Sequence, residues 1–220
     1  MKFFLDSAKT DELEYALDMW NIDGVTTNPR HVNASGKPFM KVIAEIAGIF
    51  EGTDKPISVE VNPHLHDWHA MVDEGRKLAG ISPNFVIKLP ATEPGFKAVH
   101  ELAKEGVRSN LTLAFSAAQA LQAMRMGAAF VSPFVGWKES NGEEITHFVD
   151  EVVAIRNNYG YETEIIVAAV RNARQITNAA VSGADIVTAG LAVFQEGFTH
   201  PYTDVGLGKF QSFWDDTPYE

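Results

Sequence analysis

Residues 85–90 read FVIKLP, a strand-like apolar run that contains one lysine. A strand with apolar residues at nearly every position is buried on both faces, which is typical of parallel sheets. Seven further short segments rich in β-branched or apolar residues recur along the chain, at residues 3–5, 24–27, 57–61, 110–115, 129–134, 164–170 and 185–190. Their starts follow one another at intervals of 19 to 35 residues. The sequence therefore predicts eight buried strands.

Helix-like stretches separate these strands, at residues 38–50, 67–79, 94–106, 117–126, 145–159 and 174–182. Gly106, Gly127 and Gly183 end three of them, as expected for residues in the left-handed conformation after a helix. Eight β-α units in 220 residues predict an α/β fold, a (β/α)₈ TIM barrel that forms a single domain over residues 1–220. The alternative is a doubly wound open sheet, but no G-x-G-x-x-G turn follows any strand.

The end of the chain predicts one further, amphipathic helix over residues 203–216. Its apolar side chains are Val205, Leu207, Phe210, Phe213 and Trp214. This is more apolar surface than the end of a barrel needs. We therefore expect the helix to pack on a neighbouring subunit, and the protein to be a homo-oligomer.

The composition is that of a globular protein, with 45% hydrophobic and 21% charged residues. The 18 basic and 29 acidic side chains give a net charge of −11, and the lack of basic runs argues against a nucleic-acid or anionic-membrane partner. The longest strongly apolar stretch, residues 165–170, is far shorter than the roughly 18 residues of a membrane span. Because the chain has no cysteine, thiol catalysis and thiolate metal sites are excluded. We expect a cytoplasmic protein.

Barrels of this kind carry their catalytic groups at the C-terminal ends of the strands. The polar residues in and around those ends are Asp6, Asn28, Glu60, Lys88, Asn110, Thr112, Ser132 and Arg171. Lys88 has apolar neighbours on both sides, and lysine is rarely buried without a partner. Burial disfavours an ammonium group and so favours a nucleophilic amine. The alternative is a lysine whose head reaches solvent or pairs with a carboxylate.

Asp6 and Glu60 each end an apolar strand, so both are expected at the same barrel mouth. Two carboxylates beside an amine can serve as acid, base and proton relay for carbonyl chemistry. Each alone is equally consistent with a helix cap or an ion-pair partner. Their occurrence together with Lys88 favours catalysis.

The whole chain resembles the transaldolases, and specifically the branch of short transaldolases and fructose-6-phosphate-aldolase-like proteins. The motifs that carry the resemblance are FFLDSA (3–8), DGVTTNP (23–29), ISVEV (57–61), VIKLPAT (86–92), NLTLAFSAAQA (110–120), FVSPFVG (130–136) and GADIVT (183–188). The resemblance implies a (β/α)₈ barrel with class I aldolase chemistry and no metal or organic cofactor. Its substrates would be sugars and three-carbon aldehydes.

The same resemblance implies roles for individual residues. Lys88 matches the Schiff-base lysine, Asp6 the acid/base group, and Glu60 with Thr112 the pair that holds the catalytic water. The residues that would orient the substrate are Asn28, Asn110 and Ser132, with Thr27 and Phe134 lining the same pocket. Fructose-6-phosphate aldolases carry glutamine and tyrosine at the positions of Glu60 and Phe134, so the chain resembles a transferase more than a lyase.

The chain departs from ordinary transaldolases where those proteins bind the sugar phosphate. Trp137 stands in place of an arginine and Ala169 in place of a serine, while Arg171 remains. Additional cationic or ionisable side chains that could bind an anion are Lys138, Arg30 and His31. A sulfonate carries a single charge and needs fewer cations than a phosphate, and an indole N–H is a suitable neutral donor. The segments NPRH, FVGWKE and AAVRN resemble the 6-deoxy-6-sulfofructose transaldolases of sulfoquinovose degradation.

Three alternatives remain open. One is an ordinary short transaldolase or fructose-6-phosphate aldolase that binds phosphosugars through Lys138 and Arg171. Another is a metal-dependent barrel hydrolase that uses His64 and His66, since imidazoles at such spacing can bind zinc. The last is a sugar-binding barrel without catalysis, against which the joint presence of the four catalytic candidates argues.

Overall fold

Eight parallel strands close into a barrel in which each strand pairs with its neighbours in the sequence and β8 pairs with β1. The computed structural model describes residues 1–220. The strands are β1 (Lys2–Asp6), β2 (Gly24–Thr26), β3 (Ile57–Glu60), β4 (Phe85–Pro90), β5 (Ser109–Ala114), β6 (Phe130–Pro133), β7 (Glu164–Val170) and β8 (Ile186–Ala189). Each lies within two residues of its predicted bounds, and the predicted (β/α)₈ barrel is confirmed.

Helices alternate with the strands around the barrel. They are α1 (Thr10–Trp20), α2 (Pro29–Ala34), α3 (Phe39–Ile49), α4 (Trp68–Ala79), α5 (Glu93–Lys104), α6 (Ala117–Arg125), α7 (Val135–Ser140), α8 (Thr146–Tyr159), α9 (Ala173–Ser182), α10 (Leu191–Phe198) and α11 (Pro201–Asp215). The six helices predicted between strands are all present, and Gly106, Gly127 and Gly183 adopt positive φ after three of them. No helix is both long enough and apolar enough to cross a lipid bilayer.

Five apolar side chains fill the interior of the barrel near the N-terminal ends of the strands. They are Phe4, Val86, Phe130, Ile166 and Ile186. A larger cluster of 44 buried side chains lies between the outer face of the sheet and the helices. Both faces of the sheet are therefore buried, which explains why the strands read as continuous apolar runs.

The apolar plug determines which residues line the mouth of the barrel. Because side chains alternate between the two faces of a strand, the residue two positions after a plug residue also points inward. Two positions after the five plug residues lie Asp6, Lys88, Ser132, Ala168 and Thr188. All five line the cavity at the C-terminal end of the barrel.

Helix α11 extends the chain beyond the barrel and contains no buried residue. Its apolar side chains are more than half exposed, including Phe210 at 71% and Phe213 at 68%. The helix occupies nearly the range that the sequence predicts. Its packing on a neighbouring subunit stays a prediction.

Candidate active site

The mouth of the barrel holds a cavity of about 700 Å³, large enough for a small organic ligand. Strand register brings its central groups together, because Glu60 on β3 is opposite Lys88 on β4, which in turn is opposite Asn110 on β5. The polar residues that line the cavity are Asp6, Thr26, Asn28, Arg30, His31, Glu60, Lys88, Thr112, Ser132, Trp137, Arg171 and Thr188.

Lys88 is buried, and its amine reaches the floor of the cavity. Its Nζ donates a hydrogen bond to the Thr27 carbonyl oxygen at 3.0 Å and lies 3.4 Å from Glu60 Oε2. Its side chain is 5% exposed, so the alternative in which the head of Lys88 reaches open solvent does not apply. The other alternative, pairing with a carboxylate, does apply, because Lys88 lies beside Glu60. This contact does not prevent Lys88 from lining the cavity.

Glu60 lies beside the lysine, and it shares the cavity with Thr112, a residue whose hydroxyl has no protein partner. Burial raises the pKa of Glu60, and the positive charge of Lys88 offsets only part of this effect. The buried hydroxyl of Thr112 makes no hydrogen bond within the protein. A raised pKa makes a carboxylate a stronger proton acceptor and so favours a role as a general base.

Asp6, at the end of β1 two strands away from Glu60, lies in a network of hydrogen bonds. Thr26 Oγ1 donates to Asp6 Oδ1 at 2.7 Å, and His31 Nε2 lies 3.0 Å from Asp6 Oδ2. Burial acts to raise the pKa of Asp6, but the hydrogen bond and charge of His31, the charge of Lys88 and the Thr26 hydroxyl together lower it. Asp6 is therefore a carboxylate at neutral pH.

The candidates for orienting the substrate occupy different depths. Ser132 Oγ donates to Asn110 Oδ1 at 2.8 Å, and Asn110 Nδ2 donates to Ser58 Oγ at 3.0 Å, so Asn110 is fully buried below the cavity. Asn28 lines the cavity and caps α2, where its Oδ1 accepts from the His31 backbone N–H. The hydroxyl of Thr27 donates to the Ser58 carbonyl oxygen. The backbone carbonyl of Thr27 accepts the hydrogen bond from Lys88.

Three aromatic rings form one wall of the mouth. Phe134 packs edge to face on Phe115 and on Trp137, with ring centroids 5.5 and 5.9 Å apart. Trp137 also lies 5.7 Å from Phe115 and is half exposed. Phe134 and Trp137 line the cavity. Mutual packing holds the indole ring at the rim.

Two arginines at the rim have no carboxylate partner. Arg30 makes no side-chain hydrogen bond, and Arg171 Nη1 donates to the Ser140 hydroxyl; both line the cavity. Two guanidinium groups without an acidic partner in one cavity are suited to an anionic ligand.

The other two anion-site candidates have different contacts. The ammonium of Lys138 pairs with Glu143 and also bonds to the Phe115 carbonyl, and Lys138 does not line the cavity. His31 lines the cavity, but its imidazole bonds to Asp6. The structure thus brings Arg30, Arg171 and Trp137 together at the rim and separates Lys138 from them.

Irregular backbone shapes the rim at the ends of β5 and β7. Leu113 and Ala169 have φ values of 59° and 57°, and each lies where the register of its strand shifts. A non-glycine residue in the left-handed region costs about 1–2 kcal/mol. Leu113 and Ala169 both line the cavity, which is where strained residues are commonly found.

Three polar residues of this network were not predicted from the sequence. Thr188 Oγ1 lies 2.6 Å from Thr26 Oγ1, and because a carboxylate only accepts, Thr26 donates to Asp6 and Thr188 donates to Thr26. Ser58 supports Asn110 from below. Threonine and serine inside a strand carry no signal that separates such a role from ordinary strand preference. Only their position two residues before or after other inward-facing residues could have identified them.

His64 and His66, the alternative metal ligands suggested by the sequence, lie outside the mouth, as does the nearby His69. His64, His66 and His69 are exposed, and His69 pairs with Asp67 at 3.2 Å. No group of three or more His, Asp or Glu side chains in the structure could hold a metal ion. The arrangement that the mouth does offer is an amine flanked by carboxylates of opposite pKa shift, which suits proton transfer around a covalent carbonyl adduct.

Comparison with known proteins agrees with this chemistry. The sequence profile of the family described as Transaldolase/Fructose-6-phosphate aldolase matches residues 3–217. A 6-deoxy-6-sulfo-D-fructose transaldolase of Priestia megaterium is 56% identical over 221 residues, which cover 100% of this chain and 98% of the relative. Proteins named Probable transaldolase are 46% identical in a Caulobacter species and 45% identical in Geobacter metallireducens; 99% of this chain is covered in both alignments, with 98% and 100% of the relatives.

Proposed function

Because the chain belongs to the transaldolase and fructose-6-phosphate aldolase family, we propose that it transfers a glycerone unit from 6-deoxy-6-sulfofructose to glyceraldehyde 3-phosphate. The products would be 3-sulfolactaldehyde and fructose 6-phosphate. The chain is a transferase of aldehyde or ketone groups, like the transaldolases of its family. The observation that supports this donor is the 56% identity over the full chain to a sulfofructose transaldolase.

The reaction begins with attack of the Lys88 amine on C2 of the ketose. The amine adds to the carbonyl, and the carbinolamine loses its hydroxyl as water to give an iminium ion. A water bound between Glu60 and the partner-free hydroxyl of Thr112 carries protons in this step. Glu60 is suited to the role because a raised pKa makes its carboxylate a stronger proton acceptor than an ordinary glutamate.

Carbon–carbon cleavage uses Asp6 at the end of β1. Asp6 takes the proton of the C4 hydroxyl, the C3–C4 bond breaks, and its electron pair moves into the iminium to form an enamine. The aldehyde half leaves with the anionic tail. When the acceptor aldehyde enters, the enamine attacks it, and protonated Asp6 returns the proton to the new C4 oxygen. Water then releases the ketose from Lys88.

The anionic tail is proposed to bind at the rim of the mouth. Arg30 and Arg171 line the cavity without acidic partners, and Trp137, part of the aromatic wall, lines the same cavity and carries an indole N–H donor. A singly charged sulfonate requires fewer charged donors than a phosphate. Lys138 contributes less than its sequence position suggests, since Glu143 already neutralises it.

The proposed reaction also carries expectations about the substrates, the oligomeric state and the cellular location of the protein. The family acts on sugar phosphates, so we expect small-molecule sugars and three-carbon aldehydes as substrates, with no nucleic acid or membrane partner. We also propose a cytoplasmic homo-oligomer that forms through α11. An ordinary transaldolase that uses fructose 6-phosphate as donor is the second candidate, favoured by the relatives named Probable transaldolase.

Imine trapping tests the chemistry. Borohydride added together with a ketose donor should attach the three-carbon unit to Lys88, detected by peptide mass spectrometry. The Lys88→Ala variant should lose both the label and essentially all turnover. A label on another peptide, or an active Lys88→Ala protein, would contradict the assignment.

A donor comparison tests the substrate. Sulfofructose and fructose 6-phosphate should be assayed with the same acceptor, and the specificity constant for sulfofructose should be the larger. The absence of 3-sulfolactaldehyde from sulfofructose would reject the proposed donor and leave the ordinary transaldolase as the function.

A further inference from the structure

The imidazole of His31 is bonded to the carboxylate that the proposed reaction uses as acid and base. His31 Nε2 and Asp6 Oδ2 are 3.0 Å apart, and both side chains are mostly buried at 23% and 22% exposure. We propose that His31 is a positioning residue for Asp6 and not a ligand for the anionic tail of the donor. This inference rests on the proposed role of Asp6 in cleavage.

The start of α2 determines where His31 points. Asn28 caps this helix, because its Oδ1 accepts a 3.1 Å hydrogen bond from the backbone N–H of His31. Pro29 occupies the first helical position. The amide nitrogen of Asn28 is directed at Asp6 Oδ1, at 3.5 Å. Asn28 therefore holds the backbone of His31 and also approaches Oδ1 of Asp6. The imidazole of His31 reaches the other oxygen, Oδ2.

Both oxygens of Asp6 are held from different elements. Thr26 on β2 donates to Oδ1, and His31 on α2 approaches Oδ2. An ionised carboxylate is an acceptor only, so His31 Nε2 carries the hydrogen of this bond. The charged or titratable groups that act on Asp6 are His31, Lys88 on β4 and Glu60 on β3.

In this arrangement the Asp6 carboxylate makes no hydrogen bond or ion pair with the Lys88 amine. Lys88 bonds to the Thr27 carbonyl and approaches Glu60, while Asp6 is satisfied by Thr26 and His31. The bond from His31 is also the largest of the effects that lower the pKa of Asp6. Loss of the imidazole would leave Oδ2 without its donor, free the carboxylate to rotate, and raise its pKa.

The two roles of His31 make different demands on the substrate. A tail ligand matters only for donors that carry a tail, and its loss weakens binding. A residue that positions Asp6 matters for every donor, and its loss slows C3–C4 cleavage with little effect on binding. A tail-free ketose therefore distinguishes them.

The experiment measures release of the aldehyde half in a single turnover without acceptor. The donors are sulfofructose, fructose 6-phosphate and tail-free fructose, and the variants are His31→Phe, which keeps a ring, and His31→Gln, which keeps an N–H donor. His69→Phe is the matched control, since His69 forms a His–Asp pair of 3.2 Å on the exposed surface. Melting temperatures of all variants are recorded.

We expect His31→Phe to slow release roughly ten-fold or more from every donor that wild-type protein cleaves, as for a lost hydrogen bond to a charged group. The half-saturating concentration should change less than about two-fold. The acidic limb of the rate profile for fructose should move to higher pH, because the pKa of Asp6 rises. His31→Gln should recover most of the rate, and His69→Phe should match wild type.

Weaker binding confined to the donors with a tail, with release from fructose unchanged, would overturn the inference and make His31 an anion ligand. If His31→Phe has a lowered melting temperature, the release rate of His31→Gln tests the inference instead. A stable His31→Gln protein that releases the aldehyde as slowly as His31→Phe would also contradict the inference. Should wild-type protein cleave fructose 6-phosphate but not sulfofructose, the proposed donor fails alone. The comparison between fructose 6-phosphate and fructose then still tests His31.

Discussion

The two carboxylates of the mouth differ in the direction of their pKa shifts although they share one cavity. Burial dominates at Glu60 and raises its pKa, whereas the contacts with His31, Lys88 and Thr26 outweigh burial at Asp6 and lower its pKa. Opposite shifts in one site assign different proton-transfer duties to two chemically similar groups. The difference arises from neighbours on separate strands and helices, not from the residues themselves.

The lowered pKa of Asp6 predicts a pH-dependent contribution to stability. Folding favours its ionised form, so this contribution is present above its usual value of 3.8 and is lost as the pH falls through the lower value of the folded protein. The free energy of unfolding of wild type should exceed that of Asp6→Asn near neutral pH, and the excess should shrink below pH 3.8.

Urea unfolding at a series of pH values measures this difference. Asp54→Asn serves as the control, because Asp54 is exposed and makes no side-chain hydrogen bond, and it should stay close to wild type throughout. A difference between wild type and Asp6→Asn that is constant down to acid pH would contradict the prediction.

Trp137 is expected to set the preference between donor tails. Trp137→Arg should raise the ratio of specificity constants for fructose 6-phosphate over sulfofructose about ten-fold, because it adds a charged donor for phosphate. Trp137→Phe keeps the packing on Phe115 and Phe134 but removes the indole N–H, and should weaken sulfofructose alone. Steady-state assays with both donors in each variant give the ratio. An unchanged ratio in both variants would make Trp137 a packing residue.

At the scale of elements, the end of β7 is built on a strained residue that supports α7. Ala169 has a φ of 57°, and its carbonyl oxygen lies where a Cβ on Gly136 would come within 2.0 Å. Gly136 therefore allows α7 to approach the bulge, and the side chain of Arg171 lies alongside Gly136. The close contact of two backbones explains how residues of separate elements share one rim.

This strain predicts a stabilising substitution. Ala169→Gly should raise the free energy of unfolding by up to about 1 kcal/mol, since relief of about 1–2 kcal/mol of strain exceeds the cost of added flexibility in the unfolded chain. Ala168→Gly, at the neighbouring position without positive φ, should instead destabilise by roughly 0.5–1 kcal/mol. Denaturant unfolding of both variants measures the contrast. Destabilisation by Ala169→Gly as large as by Ala168→Gly would show that the bulge is not strained.

At the scale of the whole molecule, the barrel and α11 differ in how they bury apolar surface. The barrel covers both faces of its sheet, whereas the aromatic side chains of α11 stay exposed. Exposed apolar patches of this kind mark interaction sites on soluble proteins. We therefore expect a second copy of the chain to cover the apolar side of α11 in a homo-oligomer.

Substitution on this helix should change the mass of the protein in solution. The double variant Phe210→Asp and Phe213→Asp introduces charge into the expected interface, and light scattering should report a smaller species with unchanged circular dichroism. Gln211→Asp adds a charge at a polar position of the same helix and should leave the mass as in wild type. A wild-type monomer, or an oligomer unaffected by the double variant, would refute the expected interface.

Local patterns in the sequence determined the barrel and much of its mouth. Continuous apolar strands at regular intervals require burial on both faces, and this requirement is satisfied by a parallel sheet between its core and its helices. Alternation along each strand then turns Asp6, Lys88 and Ser132 inward above the apolar plug. Each of these properties depends on residues only a few positions apart, so the sequence alone was sufficient to predict the strands and the inward-facing side chains.

Only the tertiary structure decided which side chains meet. His31 and Lys138 were equivalent candidates for binding an anion, yet one bonds to Asp6 and the other to Glu143. Thr26 and Thr188 were not recognised, because their hydrogen bond joins residues 162 positions apart. A hydrogen bond depends on distances and angles between groups brought together by closure of the barrel, and sequence spacing carries no information about these.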